Sequence, residues 1–196
     1  MKKNISLTIL LVFLISACGL AEIPPTVVPL TAVPPTVEPP RQAPQQSLSI
    51  LQSLPNAEYR IEITSTGKAQ LKDGIFEEPS APGSVVKTTV QLGKELAFGD
   101  INGDGTEDIA TTLVADPDGS GTFIYLTLII NYNGTAKPLD AVLLGDRIIV
   151  KSIMIQSESV VVTMLDRKSD ESMSAKPSVE VTRTFKLKSD KLIEMK

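Results

Sequence analysis

Residues 48–196 predict an all-β domain, an antiparallel meander that closes as a sandwich or barrel-like sheet. Three observations carry this expectation. Apolar and polar residues alternate with a period of two along several stretches. Asp73-Gly74 and Asn133-Gly134 interrupt them with pairs that suit type I′ hairpin turns, in which both central residues need φ > 0. All six prolines of the region (Pro55, Pro79, Pro82, Pro117, Pro138 and Pro177) fall between the expected strands, where a missing N–H does no harm.

Residues 1–17 have a different character. Lys2 and Lys3 form a short basic start, and residues 5–15 are apolar except for Ser6 and Thr8. That run is shorter than the ~20 residues a membrane span needs and fits a secretory leader. It ends Leu14-Ile15-Ser16-Ala17-Cys18, which resembles the lipobox of bacterial lipoproteins. The resemblance implies cleavage before Cys18 and acylation of its thiol. Each buried CH₂ contributes about 0.8 kcal/mol, so two or more acyl chains attach a protein stably to a membrane where one does so marginally. The expected place is the extracytoplasmic face of the cell envelope.

Residues 18–47 read as the lipidated cysteine and a linker. Eight of the fourteen prolines fall here, and Pro24-Pro25-Thr26-Val27-Val28-Pro29 recurs as Pro34-Pro35-Thr36-Val37-Glu38-Pro39. Proline fixes φ and donates no hydrogen bond, which leaves polyproline II. At ~3.1 Å per residue such a tether spans up to roughly 90 Å.

Within the domain, Ser47 to Leu54 suggests a short helical turn. Tyr59, Ile61 and Ile63 alternate with Arg60, Glu62 and Thr64, the mark of a half-buried strand. Residues 123–130 are apolar on both faces, as a central strand requires, with Ile124, Leu126, Leu128 and Ile130 opposing Phe123, Tyr125 and Ile129. Residues 148–155 and 160–165 predict a strand pair around Gln156-Ser157-Glu158-Ser159. Val179, Val181, Phe185 and Leu187 alternate with polar residues, interrupted by Arg183. No βαβ alternation is present, which disfavours nucleotide-binding α/β folds.

One segment carries recognisable chemistry. Asp100-Ile101-Asn102-Gly103-Asp104-Gly105-Thr106-Glu107-Asp108 reads D-x-N-x-D-G-x-x-D. Oxygen donors at alternate positions, with a glycine at the sharp turn, wrap a chain around a hard cation. The expected ligands are side-chain oxygens of Asp100, Asn102, Asp104 and Asp108 and the Thr106 carbonyl. Ca²⁺ suits this set because it accepts six to eight oxygens in flexible geometry, and its role here would be structural. The loop is not an EF-hand, because Thr111 stands where that motif ends in a bidentate Glu. With Phe98-Gly99 before it and Ile109-Ala110 after it, it resembles the loops of FG-GAP or VCBS-type repeats of extracellular β-propellers. A single copy cannot make a propeller, which needs at least four blades. The competing reading is a polar turn that binds no metal. A second acidic turn, Asp116-Pro117-Asp118-Gly119-Ser120-Gly121, is either a further source of ligands or a plain loop.

Over a longer span the domain resembles a family of uncharacterised bacterial secreted or lipid-anchored domains. The segments that carry the likeness are Asn56-Ala57-Glu58-Tyr59, residues 98–108, Gly119-Ser120-Gly121-Thr122-Phe123, Leu144-Gly145-Asp146-Arg147, Val150-Lys151-Ser152 and Glu180-Val181-Thr182-Arg183-Thr184-Phe185. Members of that family often carry a cysteine pair before the last segment. Ser174 and Ala175 occupy that stretch here. The family implies domain extent and location but no activity.

Composition narrows the function classes. The formal charge is −4, and loss of Lys2 and Lys3 with the leader makes it −6, which argues against a nucleic-acid partner. There is no His, and Cys18 is the sole thiol, so no Ser–His or Cys–His pair can form. The expectation is a binding or interaction module held at the membrane by its lipid, with an envelope or extracellular partner. The alternatives are a hydrolase that uses two carboxylates or a purely structural envelope protein. Arg147 and Arg183 interrupt patterned strand ends, either as a ligand-facing pair or as ion-pair partners of Asp146 or Glu180.

Overall fold

The structure, a computed structural model, describes residues 43–119 and 121–195. The leader, Cys18 and nearly all of the proline-rich linker lie outside the described residues.

Helix α1 (Ala43–Ser53) runs into a 3-10 turn (Leu54–Asn56). Twelve strands follow: β1 (Glu58–Arg60), β2 (Lys68–Gln70), β3 (Ile75–Pro79), β4 (Lys87–Gly99), β5 (Asp108–Asp116), β6 (Phe123–Tyr132), β7 (Thr135–Pro138), β8 (Val142–Asp146), β9 (Ile149–Gln156), β10 (Ser159–Asp166), β11 (Val179–Lys188) and β12 (Lys191–Met195). A six-stranded sheet has the order β3-β4-β5-β6-β7, with β8 also paired to β6. A four-stranded sheet has the order β12-β11-β10-β9, and β1 and β2 form a small ribbon. Every pairing between named strands is antiparallel. The all-β expectation therefore holds.

Strand β6 is the middle layer of three. Its Ile124, Leu126, Leu128 and Ile130 enter a core shared with the four-stranded sheet, where Ile153, Val160, Val162, Met164 and Phe185 meet them. Tyr125 and Ile129 enter a second core, closed by Ile50 and Leu54 of the helical segment and by Tyr59, Ala69 and Leu71 of the ribbon. The division between the two faces is the one the alternation predicts. Where β4 passes over β9 the contact is so close that a Cβ on Gly99 would lie 2.8 Å from the Ile155 Cβ. Only glycine fits there.

The turns follow their chemistry. Asp73-Gly74 (φ 50° and 86°) and Asn133-Gly134 (φ 52° and 88°) are two-residue hairpin turns. Ser157-Glu158 (φ 48° and 55°) and Ser189-Asp190 (φ 46° and 59°) do the same work without a glycine.

Several expectations need correction. The strand expected over 59–64 stops at Arg60, because Ile61, Thr64 and Gly67 close a hydrogen-bonded turn (Ile61 N to Gly67 O, 3.0 Å). The helix begins at Ala43, inside the segment read as linker, and a proline in its first turn costs little because that N–H has no helical partner. Pro79 and Pro138 lie in β3 and β7 rather than between strands. Each is the last residue of an edge strand, where no ladder bond is lost.

Tyr59 shows how the second core is held. Its ring is buried and its hydroxyl donates to the Leu54 carbonyl at 3.0 Å. Burial pushes the phenol well above its ordinary value of 10. The folded state keeps this proton while the unfolded chain releases it, so the stability is fully present below about pH 10 and declines as pH rises beyond it. Tyr59→Phe removes one buried hydrogen bond while the Leu54 carbonyl keeps the Ala57 N–H at 3.3 Å, so it should cost about 0.5–1.5 kcal/mol at neutral pH and should make the alkaline decline in urea-unfolding midpoints shallower.

Candidate functional site

Strands β4 and β5 pair as far as Gly99–Asp108, so residues 100–107 must reverse the chain over a single rung of ladder. The loop does this by capping its own amides with its own side chains, as Asx turns do. Asp100 accepts from Gly103 N at 2.7 Å and from Gly105 N at 2.8 Å. Asn102 accepts from Asp104 N at 3.0 Å and donates to the Asp104 carboxylate at 2.8 Å. Asp104 accepts from Thr106 N at 2.8 Å and from the Thr106 hydroxyl. Gly103 and Gly105 sit at φ +78° and +83°, which a side chain would strain.

Asp108 belongs to the opposite side of the loop. It is 0% exposed. One oxygen accepts from Ile101 N at 3.1 Å and the other from Asn131 N at 2.9 Å. The β5–β6 ladder ends at Ile109–Ile129, so the Asp108 side chain supplies the partner that Asn131 N lacks in the sheet. Burial pushes the Asp108 carboxyl above the usual range. The two amide bonds oppose that rise, while the charges of Asp104 and Asp100 add to it. Asp104 moves the other way, chiefly because the Thr106 hydroxyl bonds its charged form.

Sequence reasoning missed three neighbours. Asn131 is buried; its side chain donates to the Glu107 carbonyl at 3.1 Å and accepts from Gly134 N at 2.7 Å, and its carbonyl accepts from the Thr106 hydroxyl at 3.2 Å. The signal was a polar residue ending an apolar run just before Asn133-Gly134. Ser47 of α1 donates to Glu107 at 3.0 Å, so the helix braces the loop. Glu158, in the β9–β10 turn, places a carboxylate oxygen 3.8 Å from where a Gly103 Cβ would stand. No local pattern relates residues 55 apart.

The fold thus brings Asp100, Asn102 and Asp104 together on the exposed rim and Asp108 beneath them. Among the described residues, no three carboxylate, His or Cys side chains converge closely enough to hold a metal ion. The rim carboxylates are turned toward loop amides instead. In comparisons with known proteins, no family model, no curated protein and no solved structure matches the chain. The resemblances drawn above rest on the quoted residues alone.

Two other expectations resolve by geometry. The described part of the second acidic turn, residues 116–119, lies at the opposite end of β5 from the loop, about 27 Å along the strand at ~3.3 Å per residue, and so stands apart from that site. Arg147 and Arg183 each lie beside a carboxylate. Arg183 grips Glu194 through two bonds (2.8 and 2.6 Å) and donates to the Leu144 carbonyl at 2.8 Å, while Glu180 faces Lys151 at 3.7 Å. Arg147 contacts Asp146 at 3.4 Å, as one reading held.

Two cavities stand apart from the loop. One, about 580 Å³, lies between α1, β1 and β7 and includes Glu58, Arg60 and Lys137. These bind Lys68, Asp140 and Asp190 respectively. The other, about 590 Å³, is bounded by Arg147, Arg167 and residues 173–177.

Asp108→Ala should orphan two buried N–H groups and lower stability by about 2–5 kcal/mol. Asp100→Ala, in the exposed loop, should cost about 1–2 kcal/mol. Denaturant unfolding of the two variants should rank them in that order.

Proposed function

We propose that the protein is an envelope lipoprotein whose acylated Cys18 and proline-rich tether display a calcium-stabilised β domain as a binding or interaction module. The observation that carries this reading is Leu14-Ile15-Ser16-Ala17-Cys18, a lone thiol placed directly after a basic start and an apolar run. Among the described residues no helix is long and apolar enough to cross a membrane, so the reading assigns attachment to the lipid.

The loop supports the calcium part through its donor chemistry and its charge. Asp100, Asn102, Asp104 and the Thr106 carbonyl offer hard oxygens on the rim. A carboxylate oxygen that accepts one amide bond retains a lone pair for a cation. Asp100 and Asp104 raise the Asp108 carboxyl by repulsion, a cost that a cation in the loop would relieve. When bound, the ion would pin the β4–β5 connection, and the rim residues would turn inward to it. Neither cavity is lined by two carboxylates, so the hydrolase alternative gains no support from them.

In the producing cell, Cys18→Ser should move the protein from the membrane fraction to the soluble fraction; a mutant that matures and fractionates like the parent would overturn the attachment. Adding 10 mM Ca²⁺ in place of chelator should raise the melting midpoint by about 3–10 °C for a Kd of ~10⁻⁴–10⁻³ M, and Asp104→Ala should abolish that rise. A midpoint indifferent to calcium would remove the metal from the account.

A further inference from the structure

We infer that the cavity between the β8–β9 turn and the loop after β10 is a binding site for a phosphate group. This deepens the reading of the domain as a binding module and rests on it, but it depends on neither lipidation nor calcium. The chain as a whole is acidic, at −4. The ionisable residues that line this cavity, Arg147, Arg167 and Lys176, are nevertheless all cations.

Their charges are incompletely balanced. The Arg167 guanidinium donates to the main-chain carbonyls of Asp146 (2.6 Å) and Arg147 (3.3 Å), which fix its plane without neutralising it. Among the described residues, neither Arg167 nor Lys176 has a carboxylate within ion-pairing distance. Arg147 meets Asp146 at 3.4 Å, and the other Asp146 oxygen is shared with Thr122 N at 2.9 Å. The charges of Arg167 and Lys176 are thus the ones that no carboxylate of the described residues offsets by an ion pair. In a concave site such an excess attracts and concentrates anions.

The backbone fixes one wall of the cavity. Arg147 has φ +51°, a left-handed conformation that glycine or asparagine adopts at less cost. Its N–H donates to Thr122 O at 2.6 Å, which holds the turn in place. The opposite wall is also fixed. Ser178 N donates to Asp166 O at 2.8 Å, and Ala175 N to Ser172 O at 2.9 Å, which tie the loop back on itself.

Arg147, Arg167, Ser174 and Lys176 line this space from three separate chain segments, with the Ser174 hydroxyl 2.8 Å from that of Ser172. Donors arriving from several directions suit the tetrahedral oxygens of phosphate better than the plane of a carboxylate. The cavity, at about 590 Å³, is larger than one phosphate. Free phosphate and the phosphodiester of a lipid headgroup share the recognised chemistry.

The test is an NMR titration of the full chain in neutral detergent at constant ionic strength. Inorganic phosphate is used in one arm and glycerophosphoglycerol, a soluble headgroup, in the other. Saturable shifts at residues 146–147, 167 and 173–177 are expected in at least one arm, and the arm that responds identifies the source. Lys176→Ala should weaken that binding at least about tenfold. Arg147→Gly should weaken it similarly while melting no lower than the parent, which separates a lost ligand contact from a lost fold. Absence of shifts in both arms, or variants that bind like the parent, would overturn the proposal. Membrane fractionation of the Cys18→Ser protein would still report on the envelope reading separately.

Discussion

A single buried carboxylate organises the part of this protein that carries its chemistry. Asp108 opens β5 from a fully buried position and accepts one amide from the loop and one from β6. A charge in that position is costly unless it is well paired, and these two N–H groups are what make it tolerable. The same two bonds hold the loop against the sheet at the point where the β5–β6 ladder ends. The exposed rim of Asp100, Asn102 and Asp104 stands where it does because Asp108 sits beneath it.

The loop in turn depends on the layering. Strand β6 is apolar on both faces because one face meets the four-stranded sheet and the other meets α1 and the ribbon. Asn131 is the place where that apolar run gives way to polar bonding, and it joins β6 to the loop and to the β6–β7 turn. The second sheet comes close at Gly99, where β4 and β9 touch, and at Gly103, beside Glu158. Both cores and both sheets therefore converge near one end of β4.

What was legible in the sequence was what local periodicity encodes. Strand β11 follows from alternation, the two-faced β6 from an apolar run, β9 and β10 from apolar stretches around Gln156-Ser157-Glu158-Ser159, and two hairpins from Asp-Gly and Asn-Gly. Strand β4 was hidden because its alternation is broken by a bulge: Gly93, Lys94 and Glu95 lie between the rungs Leu92–Leu113 and Leu96–Thr111. Strand β12 was hidden because its turn, Ser189-Asp190, lacks glycine, and so Glu194 was missed as the partner of Arg183. The ligand-type spacing of the loop was readable. The burial of Asp108 and the approach of Ser47, Asn131 and Glu158 were not, since each depends on packing between segments distant in sequence.

Hydrogen exchange at individual amides tests the central constraint most directly. Ile101 lies in a loop, and ordinary loop amides exchange rapidly. If Asp108 holds the loop to the sheet, the Ile101 and Asn131 amides will exchange slowly, at rates close to those of the β5–β6 ladder. An Ile101 amide that exchanges as fast as those of Asp118 and Gly119 in the turn after β5 would contradict this account.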